Sequence, residues 1–478
     1  SFEDPLDFQN YLSQSSTGSI ETSIPLFSTF ALASFTVSGN VKWEDVNGTA
    51  HNARSVKVSV FSSTGSILNT GYTDTSGNYS LSFNKNGVSY IGVATYSSSQ
   101  NISVETASGT VYTYSDGTFY SISSLSSLSV NFELDNISDG GKAFQVHQAL
   151  HLGYLYYSGH ATTTSLLHVE FPSYSTSFSS TSKKIEILHD DANDWDVTLH
   201  EYGHFIADEL GIISVGGYHY PLQDLTELYG KTYANRLAWS EAWATYFSIS
   251  LQLVQNASSL NIPNVGDVNY TDTEDWYYNV NLETLATQID TELYSPSFVQ
   301  TTFSEASENG IISLLYDIAD SSISEAYDIL SYGHENLFDF YISQKKNTLS
   351  LFINQLYSSV NINSIGKLLE FYHVSSLPSS PSNNSFVGST SPTLTWVSQG
   401  GIGIYQNNSF VIVITDPEGN VLHTSSTLTS NSYLIPYHVW NYIYSQNFDF
   451  IQWRVESYQT IAYTTGKYVS STFSIYLY

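Results

Sequence analysis

The chain has 478 residues, of which 14 are basic and 44 acidic, and its formal net charge is −30. A surface of that sign repels phosphate backbones and anionic lipid, which excludes nucleic acid as an expected partner. The length exceeds what one hydrophobic core organises, so two to four domains are expected. Cysteine is absent. Disulfides are therefore excluded, and a metal site would have to use His, Asp and Glu.

Hydropathy and composition also bear on where the protein works. No apolar run approaches the roughly 18 residues that a membrane-spanning helix needs, so no span is expected. The sequence has no methionine, so residue 1 is expected to be a processed or truncated end. Removal of a signal peptide from a secreted protein is the favoured explanation, and an engineered fragment is the alternative. Few basic residues among many Ser, Thr, Asn and Tyr would suit acidic surroundings. The composition loosely resembles that of exported proteins of acid-loving archaea, and eight N-x-S/T sequons would permit glycosylation.

The first predicted domain is a β-sandwich over residues 35–135, after a polar, Ser-rich segment at residues 1–34. Side chains alternate with the period of a half-buried strand in SVKVSVFSSTGSIL and YSLSF, and TDTSGN predicts the turn before the second run. A G-x-V, a V-x-V and a T-D-x-x-G-x-Y resemble a carboxypeptidase-regulatory, transthyretin-like domain. They fall on Gly39, Val41, Val56, Val58, Val60, Thr73, Asp74, Gly77 and Tyr79. The resemblance implies an accessory module.

Residues 138–373 change to the helical period, for example in KAFQVHQALHLGYLYYSG and NRLAWSEAWATYFSISLQLVQ, with one predicted strand, KKIEIL (183–188). A Pro- and Ser-rich linker is predicted at residues 374–385. Residues 386–478 return to alternation, and PTLTW with the later WRVES resembles an Ig- or fibronectin-III-like sandwich. The expected fold is multidomain, with a transthyretin-like β-sandwich, a central mainly α (α+β) domain and a C-terminal Ig- or fibronectin-III-like β-sandwich.

The strongest chemical signal is LHEYGHFIADELG, residues 199–211. Residues four apart lie on one face of a helix, so His200 and His204 would stand side by side with Glu201 next to them. The acidic DDANDWD before the motif and Gly211 after it are typical of helix ends. The strand just ahead would offer an extended peptide an edge to pair with. The pattern predicts two metal-ligating histidines beside a carboxylate that can act as a base.

Catalytic zinc takes three protein ligands and keeps one position for water. Glu241 is the first candidate for the third ligand, because it is the only charged residue between Leu237 and Gln255. A lone carboxylate in so apolar a helix is costly to bury unless it is paired or metal-bound. A solvent-facing glutamate on an ordinary amphipathic helix is the structural alternative. Asp208, one turn beyond His204, is a second candidate with poorer tetrahedral geometry, because all three ligands would then come from one helix.

HEYGH followed by WSEAWATYF resembles the gluzincin zinc metallopeptidases, which include thermolysin-like enzymes and aminopeptidases. The resemblance implies that His200, His204 and Glu241 are zinc ligands and that Glu201 is the general base of peptide hydrolysis. Thermolysin-like enzymes carry an aspartate where this chain has Thr245, so support for the zinc ligands must come from elsewhere. The aminopeptidase branch needs a G-x-M-E-N strand, which a chain without methionine lacks. This favours an endopeptidase.

A donor for the oxyanion of peptide hydrolysis has no clear motif here. ENGIISLLYDIAD (308–320) resembles the helix that follows the oxyanion histidine of thermolysin-like enzymes, yet no histidine lies in the dozen residues before it. Tyr332 and His334 in SYGHEN are the first candidates, and His219 and Tyr316 are alternatives. For each of them, a structural aromatic residue or a surface histidine is the competing interpretation.

Two further features bear on cation binding. His147 and His151 are also four apart, in VHQALH, but Gln148 stands where the motif has its glutamate, which favours a structural pair. His189 beside Asp190 and Asp191 could bind a cation, as could TDTSGN. With 44 carboxylates, structural Ca²⁺ would be accommodated, although no loop has an EF-hand pattern.

The sequence thus predicts a secreted zinc metallopeptidase, with Zn²⁺ as cofactor and proteins or peptides as substrates. The flanking β-sandwiches would suit association with a cell surface. The alternative from another class is a non-catalytic extracellular surface or adhesion protein with a structural zinc site. The intact Glu201 argues against it, because a structural site has no use for that carboxylate. A zinc hydrolase that acts on something other than a peptide is a third interpretation.

Overall fold

The computed structural model describes residues 34–162, 165–212, 214–219, 224–273, 278–283, 305–320, 329–372, 374–398, 409–461 and 464–478. This part of the chain is a mixed α+β, multidomain protein with roughly equal helix and strand content. The predicted polar segment, residues 1–34, lies outside the described residues except for Ser34.

The chain divides into two compact units. The first holds the described residues up to Phe205 together with Leu251–Asp267 and Thr271–Asn279. The second holds Ile206–Ser250, Val268–Tyr270 and the described residues from Val280 onward. The domain boundaries expected from the sequence stay predictions.

Seven of the eight α-helices in the described ranges fall within residues 138–373, where the helical period is seen. The helices are α1 (Asp139–His160), α2 (Trp195–Glu209), α3 (Lys231–Val254), α4 (Glu308–Ala319), α5 (His334–Gln344), α6 (Leu349–Leu356), α7 (Ile362–Phe371) and α8 (Tyr437–Ser445). Short 3-10 turns lie at Asp190–Asn193, Leu225–Glu227 and Ala257–Leu260. None of the helices described is both long enough and apolar enough to cross a membrane.

The N-terminal strands form two sheets. They are β1 (Ser34–Glu44), β2 (Ala50–Asn52), β3 (Lys57–Ser62), β4 (Ile67–Tyr72), β5 (Asn78–Asn84), β6 (Tyr90–Tyr96), β7 (Ile102–Glu105), β8 (Thr113–Tyr114), β9 (Tyr120–Ser121), β10 (Ser127–Ser129) and β11 (Phe132–Leu134). One sheet runs β10-β1-β11 with β2 and β5 also on β1, and the other runs β4-β3-β6-β8 with β9 on β6. Alternate residues of β5 are buried, so the predicted period of two here is confirmed.

A four-stranded sheet stands just before the HEYGH helix in the chain. It adds β12 (Leu167–Ser173), β13 (Ser177–Ser179) and β14 (Lys184–Leu188) to β7, in the order β13-β14-β12-β7. The predicted strand KKIEIL is therefore present as β14, but both of its edges are paired, to β12 and to β13. The expectation that β14 offers a free edge is wrong, because the short strand β13 folds back antiparallel and becomes the edge itself.

The remaining strands are β15 (Asn269–Asp272), β16 (Tyr278–Asn281), β17 (Leu377–Ser380), β18 (Ser385–Val387), β19 (Thr393–Val397), β20 (Ser409–Thr415), β21 (Val421–Thr424), β22 (Ser432–Leu434), β23 (Phe450–Ile461), β24 (Thr464–Val469) and β25 (Phe473–Leu477). β15 pairs with β16, and the C-terminal strands form the sheets β17-β19-β22 and β18-β25-β23-β20-β21, with β24 on β23. Their core includes the buried indoles of Trp396, Trp440 and Trp453.

The segment predicted as a linker, residues 374–385, carries strand β17 and the start of β18. Pro378 is tolerated there because β17 lies at the edge of its sheet. Ser376 is fully buried, and its hydroxyl is hydrogen-bonded to that of Ser457. Part of this Ser- and Pro-rich segment therefore forms the edge strand β17.

Candidate metal centre

Helix α2 presents the HEYGH motif. The 3-10 turn at Asp190–Asn193 leads into the helix, and Gly211 follows it with a φ of +73°. A positive φ favours glycine, so this residue ends the helix as the sequence predicts. His200 and His204 lie one turn apart with their Nε2 atoms 3.1 Å from each other. Two nitrogens that share a tetrahedral zinc ion at about 2.0–2.1 Å would be about 3.3 Å apart, so the two rings are already close to that geometry.

Neighbouring elements hold α2 in place. A Cβ atom at Gly153 of α1 would lie 2.7 Å from the ring of Tyr202 and 3.1 Å from the side chain of Leu199. The glycine therefore allows α1 and α2 to approach closely. On another side, the ring of Phe178 in β13 meets that of Phe205 edge-on, with centroids 6.0 Å apart. The face that carries the histidines is thus fixed by packing on either side.

Glu201 is buried, with 8% of its surface exposed. Its Oε2 atom is shielded from solvent and has no hydrogen-bond partner among the described residues. An isolated buried carboxylate is costly, and such groups are retained where a ligand, a water or a reaction uses them. This oxygen of Glu201 is therefore available to a ligand or a water at the site.

Glu241 lies on α3, where its neighbours Trp239, Ala242 and Trp243 are buried. Glu241 itself is only 6% exposed, so the solvent-facing alternative does not describe it. One ligand atom from each of His200, His204 and Glu241 lies within 4.8 Å of the other two, and the group could hold a metal ion. Asp208, the second candidate for the third ligand, is not in this group.

His219 lies next to Glu241. Its Nε2 atom is 3.7 Å from Oε2 of Glu241, and its Nδ1 atom is 2.8 Å from Oε1 of Glu308. Glu308 is the first residue of α4 and is 2% exposed. The sequence offers His219 only as an alternative oxyanion donor, and no motif singles out Glu308. The sequence signal that could have identified Glu308 is its position at the start of ENGIISLLYDIAD, the segment that resembles a helix of thermolysin-like enzymes.

Tyr332 and His334, the first candidates for the oxyanion donor, have other contacts. Nδ1 of His334 is 3.0 Å from the hydroxyl of Tyr246, and its ring lies 5.4 Å from that of Tyr316. Burial lowers the pKa of His334 to about 4 and raises that of Tyr316. The backbone of Tyr332 accepts a hydrogen bond from Asn336 and donates one to α4. These residues form an aromatic cluster around the start of α5, and none of them belongs to the group of possible ligands.

Asp196, the last residue of the acidic segment DDANDWD, anchors the start of α2. Its carboxylate accepts hydrogen bonds from the side chain of Gln252 at 2.6 Å and from the backbone of Thr271 at 2.9 Å. Burial raises the pKa of Asp196 to about 8. Gln252 also accepts a hydrogen bond from the backbone of Gly266. These bonds tie the first turn of the motif helix to two other segments of the same unit.

A second group of carboxylates combines two residues just before α2 with one from β15. Oxygens of Asp191, Asp194 and Asp272 lie within 4.8 Å of one another and could hold a metal ion. Three carboxylates and no histidine suit a hard cation such as Ca²⁺ better than zinc. Burial raises the pKa of Asp194, whose carboxylate also accepts two hydrogen bonds from Thr273.

Comparisons with known proteins do not identify the chain. No family model matches it, and no curated protein matches it. Among solved structures, a 9R-lipoxygenase from Cyanothece PCC8801 is similar over 33% of this chain and 28% of its own length, at 13% identity and a TM-score of 0.16. A likeness of that size carries no argument about fold or function.

Proposed function

We propose that the protein is a secreted, zinc-dependent metallopeptidase of the gluzincin type, an endopeptidase that acts on proteins or peptides. The observation that supports this most is the group of His200, His204 and Glu241, with the two Nε2 atoms 3.1 Å apart. Two imidazole nitrogens and one carboxylate oxygen are the donor set of many catalytic zinc sites, which keep the fourth position for water.

The residues around that group have distinct roles in this proposal. A zinc ion held there would polarise the scissile carbonyl and lower the pKa of a bound water toward about 7. The carboxylate of Glu201 would take the proton from the attacking water and pass it to the leaving amine. Its buried and unpartnered Oε2 atom supports this role, because this oxygen is not engaged in a structural hydrogen bond and can accept a proton.

For the oxyanion donor we favour His219 over Tyr332 and His334. Nε2 of His219 lies 3.7 Å from Oε2 of the proposed ligand Glu241. Glu308 contacts Nδ1 of the ring, and this fixes the orientation of the imidazole and leaves Nε2 on the side of Glu241. A donor fixed in this way stabilises negative charge on the carbonyl oxygen without reorganising during the reaction.

The accessory regions fit an extracellular peptidase. We propose that the N-terminal sheets are a transthyretin-like module, that the C-terminal sheets are an Ig- or fibronectin-III-like module, and that the two associate with a cell surface. The short edge strand β13, which packs on α2, is the proposed pairing site for an extended peptide.

The experiment that tests the proposal is digestion of unfolded casein by the full chain, with and without the chelator 1,10-phenanthroline, beside a Glu201→Gln variant. Zinc content is measured on the same samples. Cleavage that both the chelator and the substitution abolish, with zinc retained in Glu201→Gln, is the expected result. Cleavage that survives Glu201→Gln would sink the proposed mechanism.

The same experiment separates the peptidase from the non-catalytic surface protein. The alternative requires bound zinc and no cleavage of casein or of an unbiased peptide library by any form. A pair of variants distinguishes the ligand assignments. Glu241→Gln is expected to lose zinc, whereas Asp208→Asn is expected to keep it.

A further inference from the structure

A cavity of about 240 Å³ lies in the first unit, away from the proposed metal centre. Strands β1 and β2, one face of α1, the first residue of α2 and residues 259–262 surround it, and none of His200, His204 or Glu241 lines it. The volume is at the small end for ligand sites and suits one aromatic ring with a short polar group.

One wall of the cavity is aromatic. Trp43 of β1 and Trp195 of α2 are 2% and 4% exposed, and their rings stack with centroids 6.3 Å apart. Leu152 and Leu155 of α1 extend the apolar surface, and Leu155 is 42% exposed at the rim. Indole and leucine side chains arranged in this way favour a planar apolar group, such as another ring.

The lining of the cavity also includes one cationic side chain, that of Arg54. Arg54 is one of only three arginines in a chain with a net charge of −30. Its backbone is held at both N–H and C=O by the amide of Gln148, at 2.8 and 3.0 Å. No carboxylate in the described part of the chain forms an ion pair with its guanidinium. Where acidic residues outnumber basic ones threefold, a partly buried arginine without a counter-ion is available for an external anion.

The two histidines of the lining do not compete for that role. Nε2 of His51 is 2.8 Å from the carboxylate of Asp45, which already pairs with it. His151 is 7% exposed, and burial together with the positive charge of Arg54 lowers its pKa to about 4. At neutral pH the imidazole of His151 is therefore uncharged, and Arg54 is the cationic group of this cavity.

We propose that this cavity binds a small carboxylate that bears an aromatic ring, with Arg54 pairing with the carboxylate and the Trp43 and Trp195 wall packing against the ring. The C-terminal residue of a peptide and a free aryl acid share this chemistry. The site is independent of the proposed metal centre, so its test needs no catalytic activity.

The test is calorimetric titration of the full chain with N-acetyl-L-phenylalanine and with N-acetyl-L-phenylalaninamide, which differ only in the carboxylate. The acid is expected to bind about tenfold more tightly or better, since a charge-assisted hydrogen bond is lost in the amide. Arg54→Gln should remove that difference. Lys42→Gln deletes the same charge from an exposed position on β1 and should keep it.

A second pair of variants protects the test from misfolding. Leu155→Glu places a negative charge at the rim and should weaken binding of the acid, whereas Leu155→Gln should not. Phenylacetate, titrated in parallel, distinguishes the two sources of the ligand. Tighter binding of N-acetyl-L-phenylalanine favours a peptide end, and tighter binding of phenylacetate favours a free acid. Equal affinity for acid and amide, an unchanged affinity in Arg54→Gln, or no binding of any of the three compounds would overturn the proposal.

Discussion

Two helices of this protein each carry a pair of histidines four residues apart, and the pairs differ in almost every other respect. On α2, the rings of His200 and His204 meet at 80° with centroids 4.8 Å apart, and their Nε2 atoms point at one place. On α1, the rings of His147 and His151 are nearly parallel, at 11°, with centroids 6.1 Å apart. The same spacing therefore produces a converging pair in one helix and a stacked pair in the other.

The surroundings of the two pairs explain the difference. Next to the α2 pair stands Glu201, and Glu241 completes a group of possible ligands. Next to the α1 pair stands Gln148, whose amide is 3.0 Å from Nδ1 of His147 and also holds the backbone of Arg54. Burial lowers the pKa of His147 to about 3 and that of His151 to about 4. Spacing selects a face of the helix, and the groups that face it decide whether the pair converges with further possible ligands or stacks inside a core.

The sharpest contrast between the pairs should come from removing one ring of each. His204→Ala is expected to lose bound zinc and all measurable peptidase activity, because a catalytic site needs three protein ligands. His151→Ala should keep about one zinc per chain and its activity, with a loss of roughly 2 kcal/mol or more in the free energy of unfolding from the space left behind. Mass spectrometry for zinc and denaturant titration measure both. Loss of zinc from His151→Ala would show that the α1 pair also binds metal.

The neighbour of each pair can be tested in the same way. Glu201→Gln should lower kcat by about 10²–10⁴, the usual contribution of a general base, with zinc content and KM little changed. Glu209→Gln, in the last turn of the same helix, is the matched control and should retain activity within about twofold. A Glu201→Gln variant that has lost its zinc would mean that Glu201 is a ligand rather than a base.

The pH dependence of stability should reveal the buried, neutral pair on α1. The unfolded chain protonates its histidines below about pH 6.5, whereas folded His151 takes a proton only near pH 4. Stability contributed by the neutral ring is therefore present above pH 6.5 and is lost as the pH falls toward 4. The raised pKa of Asp196, about 8, has the opposite effect, because it adds stability as the pH falls. Wild type and variant both contain Asp196, so its contribution cancels in the comparison. His151→Leu should reduce the loss between pH 7 and 4 by about 3 kcal/mol, measured by urea unfolding. An identical loss in wild type and variant would contradict the assigned burial.

The smallest expected effect concerns the contact between the two helices. Gly153→Ala on α1 would bring a methyl group 2.7 Å from the ring of Tyr202 on α2. The crowding should exceed the gain in helix propensity and cost about 1 kcal/mol in thermal unfolding, with a measurable drop in kcat. Gly159→Ala, on the same helix with no atom near the added methyl, should instead stabilise by about 0.5–1 kcal/mol. Equal effects of the two substitutions would rule out a packing role for Gly153.

Secondary structure followed the local pattern closely where the pattern was strong. The alternation in YSLSF, the helical period through LHEYGHFIADEL and the glycine after it all correspond to β5, α2 and the positive φ of Gly211. These signals act over a few residues, which is why they can be read without the fold. The strands in the Pro- and Ser-rich segment at 374–385 could not be read from its composition, because edge-strand pairing depends on residues far away in the chain. Its role as a linker stays a prediction.

The sequence by itself determined the composition of a possible metal site, the two histidines and the glutamate of HEYGH, and the lone carboxylate of α3 that was expected to join them. Only the tertiary structure decided that His219 also approaches Glu241 and that Glu308 contacts its other ring nitrogen, since His219 and Glu308 are 89 residues apart and share no motif. It likewise decided that β13 rather than β14 is the sheet edge, and that Arg54 faces a cavity walled by Trp43 and Trp195. Local periodicity specifies a face, but burial, ion pairing and the convergence of side chains depend on contacts that only the folded chain creates.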